Sequence, residues 1–148
     1  RERFRQMFFK SISQIDIQYK SGQHSEKDIE KMFLHGTPKP GSRLPYVDFI
    51  YDNSKTNSHE ILDSTRFTIL VFADELTPEL KSVTESYKLK VVQVKSLPET
   101  EKIYSMLGIK HSGYYLVRPD SYVALRSATM DSGYLRRYLE HFLVPHDF

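Results

Sequence analysis

The residue types that could do chemistry are few in this chain of 148 residues, and their spacing does not suit catalysis. The chain has no cysteine, which excludes disulfides, thiol catalysis and thiolate metal sites. His141 and His146 follow no metal-binding spacing such as His-Glu-x-x-His. No serine occupies a Gly-x-Ser-x-Gly elbow, and the 6 glycines form neither a dinucleotide fingerprint nor a phosphate-binding loop. The sequence therefore predicts no catalytic, cofactor-binding or metal-binding residue.

The charge and composition of the chain also argue against two classes of partner. The 21 Lys and Arg residues oppose 19 Asp and Glu residues, for a formal charge of +2, so no basic field predicts nucleic-acid binding. Arg1, Arg3 and Arg5 suit a solvated helix face better than a phosphate clamp. The longest apolar run, residues 69–73, is too short to cross a bilayer. We therefore expect neither a nucleic-acid nor a membrane partner, and the lack of cysteine suits the cytoplasm.

The second half of the chain alternates strand and helix patterns. Residues 67–73 are apolar on both alternating faces, which is typical of a central strand. Thr77-Pro78 is a helix start, and residues 91–94 form the next strand. A capping box over residues 96–99 begins a second helix, which Gly108 ends. The two strands and the helix between them predict a right-handed β-α-β unit with parallel strands.

A hairpin and a last helix complete this half. Residues 114–118 and 122–127 are strand-like, and the sequence Pro119-Asp120-Ser121 between them favours a turn. Asp131 caps a helix with an apolar stripe of Leu135, Tyr138, Leu139 and Phe142. The order β-α-β-α-β-β-α predicts an α/β, thioredoxin-like core with a mixed central sheet, in which the first and third strands are central.

The positions that carry thioredoxin chemistry are occupied by other residues. The redox pair would follow the first core strand, where residues 73–78 read Ala-Asp-Glu-Leu-Thr-Pro. The usual cis-proline would precede the third strand, where residues 110–113 read Lys-His-Ser-Gly. The sequence therefore predicts a thioredoxin-like fold that lacks the redox cysteines and serves another purpose.

The first 66 residues have weaker patterns. Residues 1–12 have apolar side chains at helical spacing, and residues 15–19 alternate as a strand does. Some helical character is expected over residues 28–34, followed by a turn and a strand over residues 46–51. The polar residues 52–59 show no pattern that predicts an element.

Two stretches resemble a known family. The sequence PGSRLPYV at residues 40–47 resembles the P-G-x-R-x-P segment that introduces the C-terminal domain of FAD-dependent aromatic hydroxylases, of the phenol hydroxylase and pentachlorophenol monooxygenase type. The sequence YLVRPDSYVALR at residues 115–126 is similar to the L-V-R-P-D-x-x-V-A-x-R hairpin near the end of the same proteins. Ser121 stands where the family often has Gly, and Leu125 where it often has Trp. The resemblance runs from about residue 12 onward.

The resemblance implies a division of the chain and a role for it. Residues 1–22 would be the tail of the preceding flavin domain, residues 23–45 a linker, and residues 46–148 the thioredoxin-like domain. The parent protein would use FAD, NADH or NADPH, and O2 to hydroxylate a phenolic substrate. This chain would bind no cofactor itself and would serve as a non-catalytic packing, stabilising or subunit-contact domain. Its partners would be the flavin-binding domain of the parent chain and, in a homodimer, a second copy.

The motif residues are candidates for the contact between domains: Gly41, Arg43, Pro45, Arg118, Pro119, Asp120 and Arg126. Gly41 suits a strained backbone angle, and Pro45 stiffens the entry to the next strand. For Arg43, an anchor on the flavin domain and a plain surface charge are both open.

The hairpin candidates also have two interpretations. Pro119 fixes the backbone angle of the turn, and Asp120 accepts hydrogen bonds from turn amides. Arg118 and Arg126 would either pair with carboxylates across a domain contact or lie solvated.

Other functions compete with the domain interpretation. A stand-alone, thiol-free, thioredoxin-like adaptor that binds a protein partner is the alternative. A small hydrolase or metal enzyme has no supporting group of residues. Apolar side chains at Phe4, Phe8 and Ile12 favour the domain interpretation, since a free-standing protein would have to cover them.

Overall fold

The computed structural model describes residues 26–33 and 36–143. The helices are α1 (Glu26–Glu30), α2 (Pro78–Ser86), α3 (Glu101–Leu107) and α4 (Ser132–Phe142), and a 3-10 turn (Pro98–Thr100) precedes α3. The strands are β1 (Asp48–Tyr51), β2 (Ser54–Asn57), β3 (Thr68–Phe72), β4 (Lys90–Val94), β5 (Gly113–Val117) and β6 (Val123–Ser127). The predicted helix over residues 1–12 and the predicted strand over residues 15–19 lie outside the described residues.

The main sheet has the predicted mixed topology. Its strand order is β4-β3-β5-β6, with β3 and β4 parallel and the β3–β5 and β5–β6 pairs antiparallel. The first and third core strands, β3 and β5, are therefore central, as predicted. Every residue of both strands is buried, because helices cover both faces of the sheet.

Two neighbouring tyrosines of β5 show that the helices lie on opposite faces. The Tyr114 hydroxyl donates to the carbonyl oxygen of Asp131 at the start of α4, at 2.7 Å. The Tyr115 hydroxyl donates to the carbonyl oxygen of Leu107 at the end of α3, at 2.6 Å. Because successive side chains of a strand point to opposite faces, α3 and α4 cover different faces of the sheet.

Local signals in the sequence set the ends of three helices as predicted. The Thr77 hydroxyl accepts from the Leu80 amide at the start of α2, and Pro78 is the first helical residue. Asp131 caps α4 by accepting from two amides. Gly108 ends α3 in the left-handed conformation, with a φ of 72°.

The predicted capping box over residues 96–99 is wrong. Leu97 precedes the 3-10 turn, and its amide donates to the Thr100 hydroxyl at 3.0 Å. The same hydroxyl donates to the carbonyl oxygen of Lys95 at 2.6 Å. The Thr100 hydroxyl thus bonds the residue just after β4 and the residue just before the 3-10 turn, so Ser96 is not the capping residue.

A second, two-stranded sheet of β1 and β2 includes an element that the sequence pattern did not predict. The strands pair antiparallel through Asp52 and Asn53, which have φ angles of 55° and 64°. Positive φ at both central residues is typical of a type I′ hairpin turn, and Asp and Asn tolerate it better than most residues. The strand expected over residues 46–51 is confirmed as β1, whereas the polar strand β2 was missed.

The segment assigned as a linker contributes to the core of the domain. Ile29 in α1, Phe33 just after it and Leu44 are all buried, and they belong to the same apolar cluster as β3 and β5. The division of the chain at residues 22 and 45 stays a prediction, but a linker that packs in this way is part of the folded unit.

Candidate domain-contact surface

The two motif segments singled out in the sequence lie side by side. The Gly41 amide donates to the carbonyl oxygen of Val123, and the Val123 amide donates to that of Ser42, both at 2.8 Å. The Leu44 amide donates to the carbonyl oxygen of Ser121 at 2.8 Å. Residues 41–44 therefore run antiparallel to the start of β6, with a bridge between Arg43 and Tyr122.

Backbone conformation and hydrogen bonding account for two of the candidate residues, Gly41 and Pro45. Gly41 has a φ of 93°, a conformation that L residues rarely adopt, and a Cβ there would meet no atom within 4 Å. Pro45 accepts a hydrogen bond from the Ser58 hydroxyl at 2.6 Å through its carbonyl oxygen. Gly41 therefore shapes the segment that pairs with β6, whereas the Pro45 carbonyl bonds the residue after that segment to Ser58, just after β2.

The hairpin turn also has a local explanation. The Ser121 amide donates to the carbonyl oxygen of Arg118 at 2.9 Å, and the Asp120 carboxylate accepts from the Tyr122 amide at 3.2 Å. Pro119 lies between Arg118 and Asp120 in this turn. Ser121 has a φ of 72°, so it takes up the left-handed conformation at the position where the resembling family often has Gly.

Arg118 and Arg43 place guanidinium groups around this turn. Arg118 donates from Nε and Nη2 to the two Asp120 carboxylate oxygens, at 3.2 and 2.5 Å, and both side chains are about half exposed. The Arg118 hydrogen bond lowers the pKa of Asp120. Arg43 donates from Nε to the Ser121 hydroxyl at 3.2 Å. The guanidinium carbon of Arg118 lies 5.6 Å from the ring centre of Tyr122, which is 39% exposed.

Aromatic rings of α4 extend the same part of the molecule. Tyr138 and Phe142 have ring centres 4.6 Å apart, and Phe142 is 62% exposed. Burial raises the pKa of Tyr138, while the nearby Arg118 charge opposes that rise.

We call Arg43, Arg118, Asp120 and Tyr122 the turn surface. Exposed guanidinium and aromatic groups of this kind are enriched where proteins bind other proteins.

Arg126 does not belong to the turn surface, although it ends the same sequence motif. Its side chain is only 2% exposed, and it makes an ion pair with Glu30 of α1. Burial alone would lower the pKa of Arg126, but hydrogen bonds to Glu30 and Tyr115 outweigh it and raise that pKa. Of the two interpretations from sequence, carboxylate pairing is observed, but the carboxylate belongs to this chain.

Sequence reasoning missed Glu30 as a partner. The two residues are 96 positions apart, and Glu30 is one of several charges on a short polar helix. No local pattern marks such a pair, because periodicity and capping report only on neighbours along the chain.

The connection after β3 does not fit a dinucleotide. Residues 73–77 link β3 to α2 without a glycine, and the exposed acids Asp74 and Glu75 would repel a pyrophosphate there.

Beside the β1–β2 turn, an open cleft of about 380 Å³ is lined by Ile50, Leu97 and Lys95 among others. Within the described ranges, no group of three acidic or histidine side chains is arranged to hold a metal ion. In the same ranges, the helices are too short or too polar to cross a bilayer.

Solved structures with a similar fold include proteins of two kinds. A thiol peroxidase from Chromobacterium violaceum has a TM-score of 0.58 at 11% identity, over 74% of this chain and 90% of that one. The flavin-dependent monooxygenase PieE, solved with FAD and substrate, has a TM-score of 0.54 at 18% identity. CabE, an aromatic hydroxylase from angucycline biosynthesis, has a TM-score of 0.51 at 22% identity. The chain therefore has a thioredoxin-like fold, and it has no thiol with which to do thioredoxin chemistry.

The sequence comparison identifies the family. The profile of the aromatic-ring hydroxylase C-terminal domain matches residues 37–145, so the chain belongs to that family. No curated protein sequence matches the chain. The similarity covers 80% of this chain but 23% of PieE, and 79% of this chain but 24% of CabE. This chain thus corresponds to about a quarter of each of those monooxygenases.

Proposed function

We propose that this chain is the non-catalytic C-terminal domain of a FAD-dependent aromatic-ring monooxygenase. The rest of that protein would bind FAD, oxidise NADH or NADPH and hydroxylate a phenolic substrate with O2. The observation that carries the proposal is the family match over residues 37–145. The small share of PieE and CabE that the fold covers supports a domain within a larger chain. The cytoplasmic location stays a prediction.

The turn surface is our candidate for the contact with the flavin domain. Its guanidinium groups would face carboxylates, and Tyr122 would add apolar area at the centre of the contact. Gly41, Pro45 and Pro119 would act indirectly, by holding the two backbone segments that present Arg43 and Arg118. A contact with a second copy in a homodimer is the other use of such a surface.

The test compares the 148-residue chain with the full-length product of its gene. We expect the isolated chain to show no flavin absorbance, and the full-length protein to carry FAD and to oxidise NAD(P)H faster when a phenolic substrate is present. Flavin that copurifies with the isolated chain in equal amounts would contradict the non-catalytic role. A full-length protein without flavin would contradict the family function in this protein.

The alternative is a stand-alone, thiol-free adaptor. The similarity to the Chromobacterium thiol peroxidase, which covers 90% of that chain, shows that the fold also occurs as a nearly complete protein. The sequence of the gene upstream of Arg1 distinguishes the two. A strand followed by Gly-x-Gly-x-x-Gly and a helix would support the monooxygenase, and a start codon directly before Arg1 would support the adaptor.

A further inference from the structure

We propose that Arg126 is a latch that holds residues 26–33, which we call the strap, against the central sheet. The strap consists of α1 and the three residues that follow it, and it lies before the region that the family profile matches. Through this latch the chain would enter the domain along one fixed path. The latch is inferred from this chain alone; only its consequence for a preceding domain rests on the proposed function.

The guanidinium of Arg126 is bonded on both sides of the gap between strap and sheet. It donates from Nε and Nη2 to the two Glu30 carboxylate oxygens, at 2.8 and 2.5 Å, which is the bidentate geometry that Arg favours. Its Nη1 donates to the Thr37 hydroxyl at 2.8 Å and to the carbonyl oxygen of Pro38. A longer bond of 3.3 Å reaches the Tyr115 hydroxyl on β5. One side chain thus joins β5, β6, the strap and the chain that follows the strap.

Apolar packing places the strap over the same residue. Ile29 is fully buried, and Met32 and Phe33 are nearly so. The Phe33 ring lies 3.9 Å from the guanidinium carbon of Arg126, within the range of a cation–π contact. The same ring meets Tyr115 edge-on, with centres 6.0 Å apart. The strap therefore covers the Arg126 guanidinium and also supplies the carboxylate that neutralises its charge.

The charge of Arg126 couples the position of the strap to the hydration of that side chain. A buried guanidinium that loses its carboxylate is strongly unfavourable, whereas the pair costs little while it is intact. Glu30 is the only acid among the groups that bond Arg126 in the described part of the chain. If the strap moved away, Arg126 would need water, so strap release and hydration of Arg126 must occur together.

A consequence follows for the protein as a whole. A strap that is fixed to β6 delivers the preceding chain at one place on the domain. In the proposed monooxygenase, Arg126 would then be a positioning residue for the attachment of the flavin domain. The folded unit would also begin before residue 37, where the profile match begins.

Amide hydrogen exchange of the 148-residue chain tests the latch. The amides of Lys31, Met32 and Phe33 donate to carbonyl oxygens within the strap, so their exchange reports whether the strap is in place. We expect Glu30→Ala to speed their exchange by about tenfold or more, while β3 and β5 change far less. The double variant E30A/R126M removes the uncompensated charge, so it should exchange no faster than E30A.

Asp120→Ala is the matched control. It removes the carboxylate from the exposed pair with Arg118 in the same hairpin. Strap exchange should then stay at the wild-type rate. The latch is wrong if E30A leaves strap exchange unchanged, if it speeds β3 and β5 equally, or if E30A/R126M exchanges faster than E30A. None of these outcomes depends on flavin, so failure of the latch is separate from failure of the proposed function.

Discussion

Two arginines of one hairpin differ in their roles because their burial differs. Arg118 and Arg126 each form a bidentate bond with a carboxylate. The pair of Arg118 with Asp120 is exposed to solvent, which screens it and leaves Arg118 available to another molecule. In the pair of Arg126 with Glu30, the arginine side chain is only 2% exposed and the glutamate side chain 25%, so this pair belongs to the interior of the domain. The same residue type in one sequence motif therefore serves a surface in one case and the interior in the other.

Ionisation of the Tyr115 hydroxyl should make the free energy of unfolding depend on pH in the alkaline range. Burial raises the pKa of Tyr115 to about 12, above the ordinary tyrosine value of 10.0. Because the folded-state pKa is the higher one, the stabilisation from Tyr115 is complete below pH 10 and is lost as the pH rises toward 12. Tyr115→Phe removes the bond donated to Leu107 and the longer bond accepted from Arg126, and it should lower the free energy of unfolding by about 1 kcal/mol at neutral pH.

The pH profile of the Tyr115→Phe variant is the decisive measurement. As the pH increases from 10 to 12, the free energy of unfolding of the wild type should fall by up to about 2 kcal/mol relative to that of the variant, so the neutral-pH difference of about 1 kcal/mol should vanish and then reverse. Denaturant titrations at several pH values give these free energies. Parallel profiles over that range would show that Tyr115 ionises at the same pH in the folded and unfolded states.

At the level of elements, the sequence predicts what local patterns encode. The all-apolar strand over residues 67–73 and the Thr77-Pro78 helix start were both correct, because burial and capping leave local signals. β2 was missed because its residues are polar and it owes its conformation to pairing with β1. The pairing of residues 41–44 with the start of β6 is likewise long-range, so the motif residues could be recognised in the sequence but their contact with each other could not.

Two glycines should differ in what an added methyl group costs. A Cβ on Gly113 would lie 2.3 Å from the carbonyl oxygen of Ser127, so Gly113→Ala must force β5 and β6 apart. We expect a loss of about 3 kcal/mol or more in the free energy of unfolding. Gly41→Ala meets open space but keeps a φ of 93°, so it should cost only about 1 to 2 kcal/mol.

Denaturant unfolding of both glycine variants measures this difference. If Gly41→Ala cost as much as Gly113→Ala, the pairing of residues 41–44 with β6 would matter to the fold as much as the central hairpin does. A neutral Gly113→Ala would mean that β5 and β6 can separate without loss.

At the level of the whole molecule, the turn surface should matter only when the rest of the parent protein is present. Among the described residues, the Arg118 guanidinium donates its hydrogen bonds to the neighbouring Asp120, and both side chains are about half exposed, so Arg118→Glu should leave the unfolding transition of the 148-residue chain nearly unchanged. In the full-length protein, the reversed charge would face carboxylates of the flavin domain, and we expect faster proteolytic cleavage between the domains.

Lys102→Glu makes the same change of charge at an exposed position of α3, away from the turn, and it is the control for Arg118→Glu. Cleavage between the domains should be as slow in Lys102→Glu as in the wild type, because only the location of the charge differs. Equal cleavage of the two variants would make net charge responsible rather than a contact at the turn. Unchanged cleavage in Arg118→Glu would move the domain contact to another surface, while the strap and its latch would remain as described.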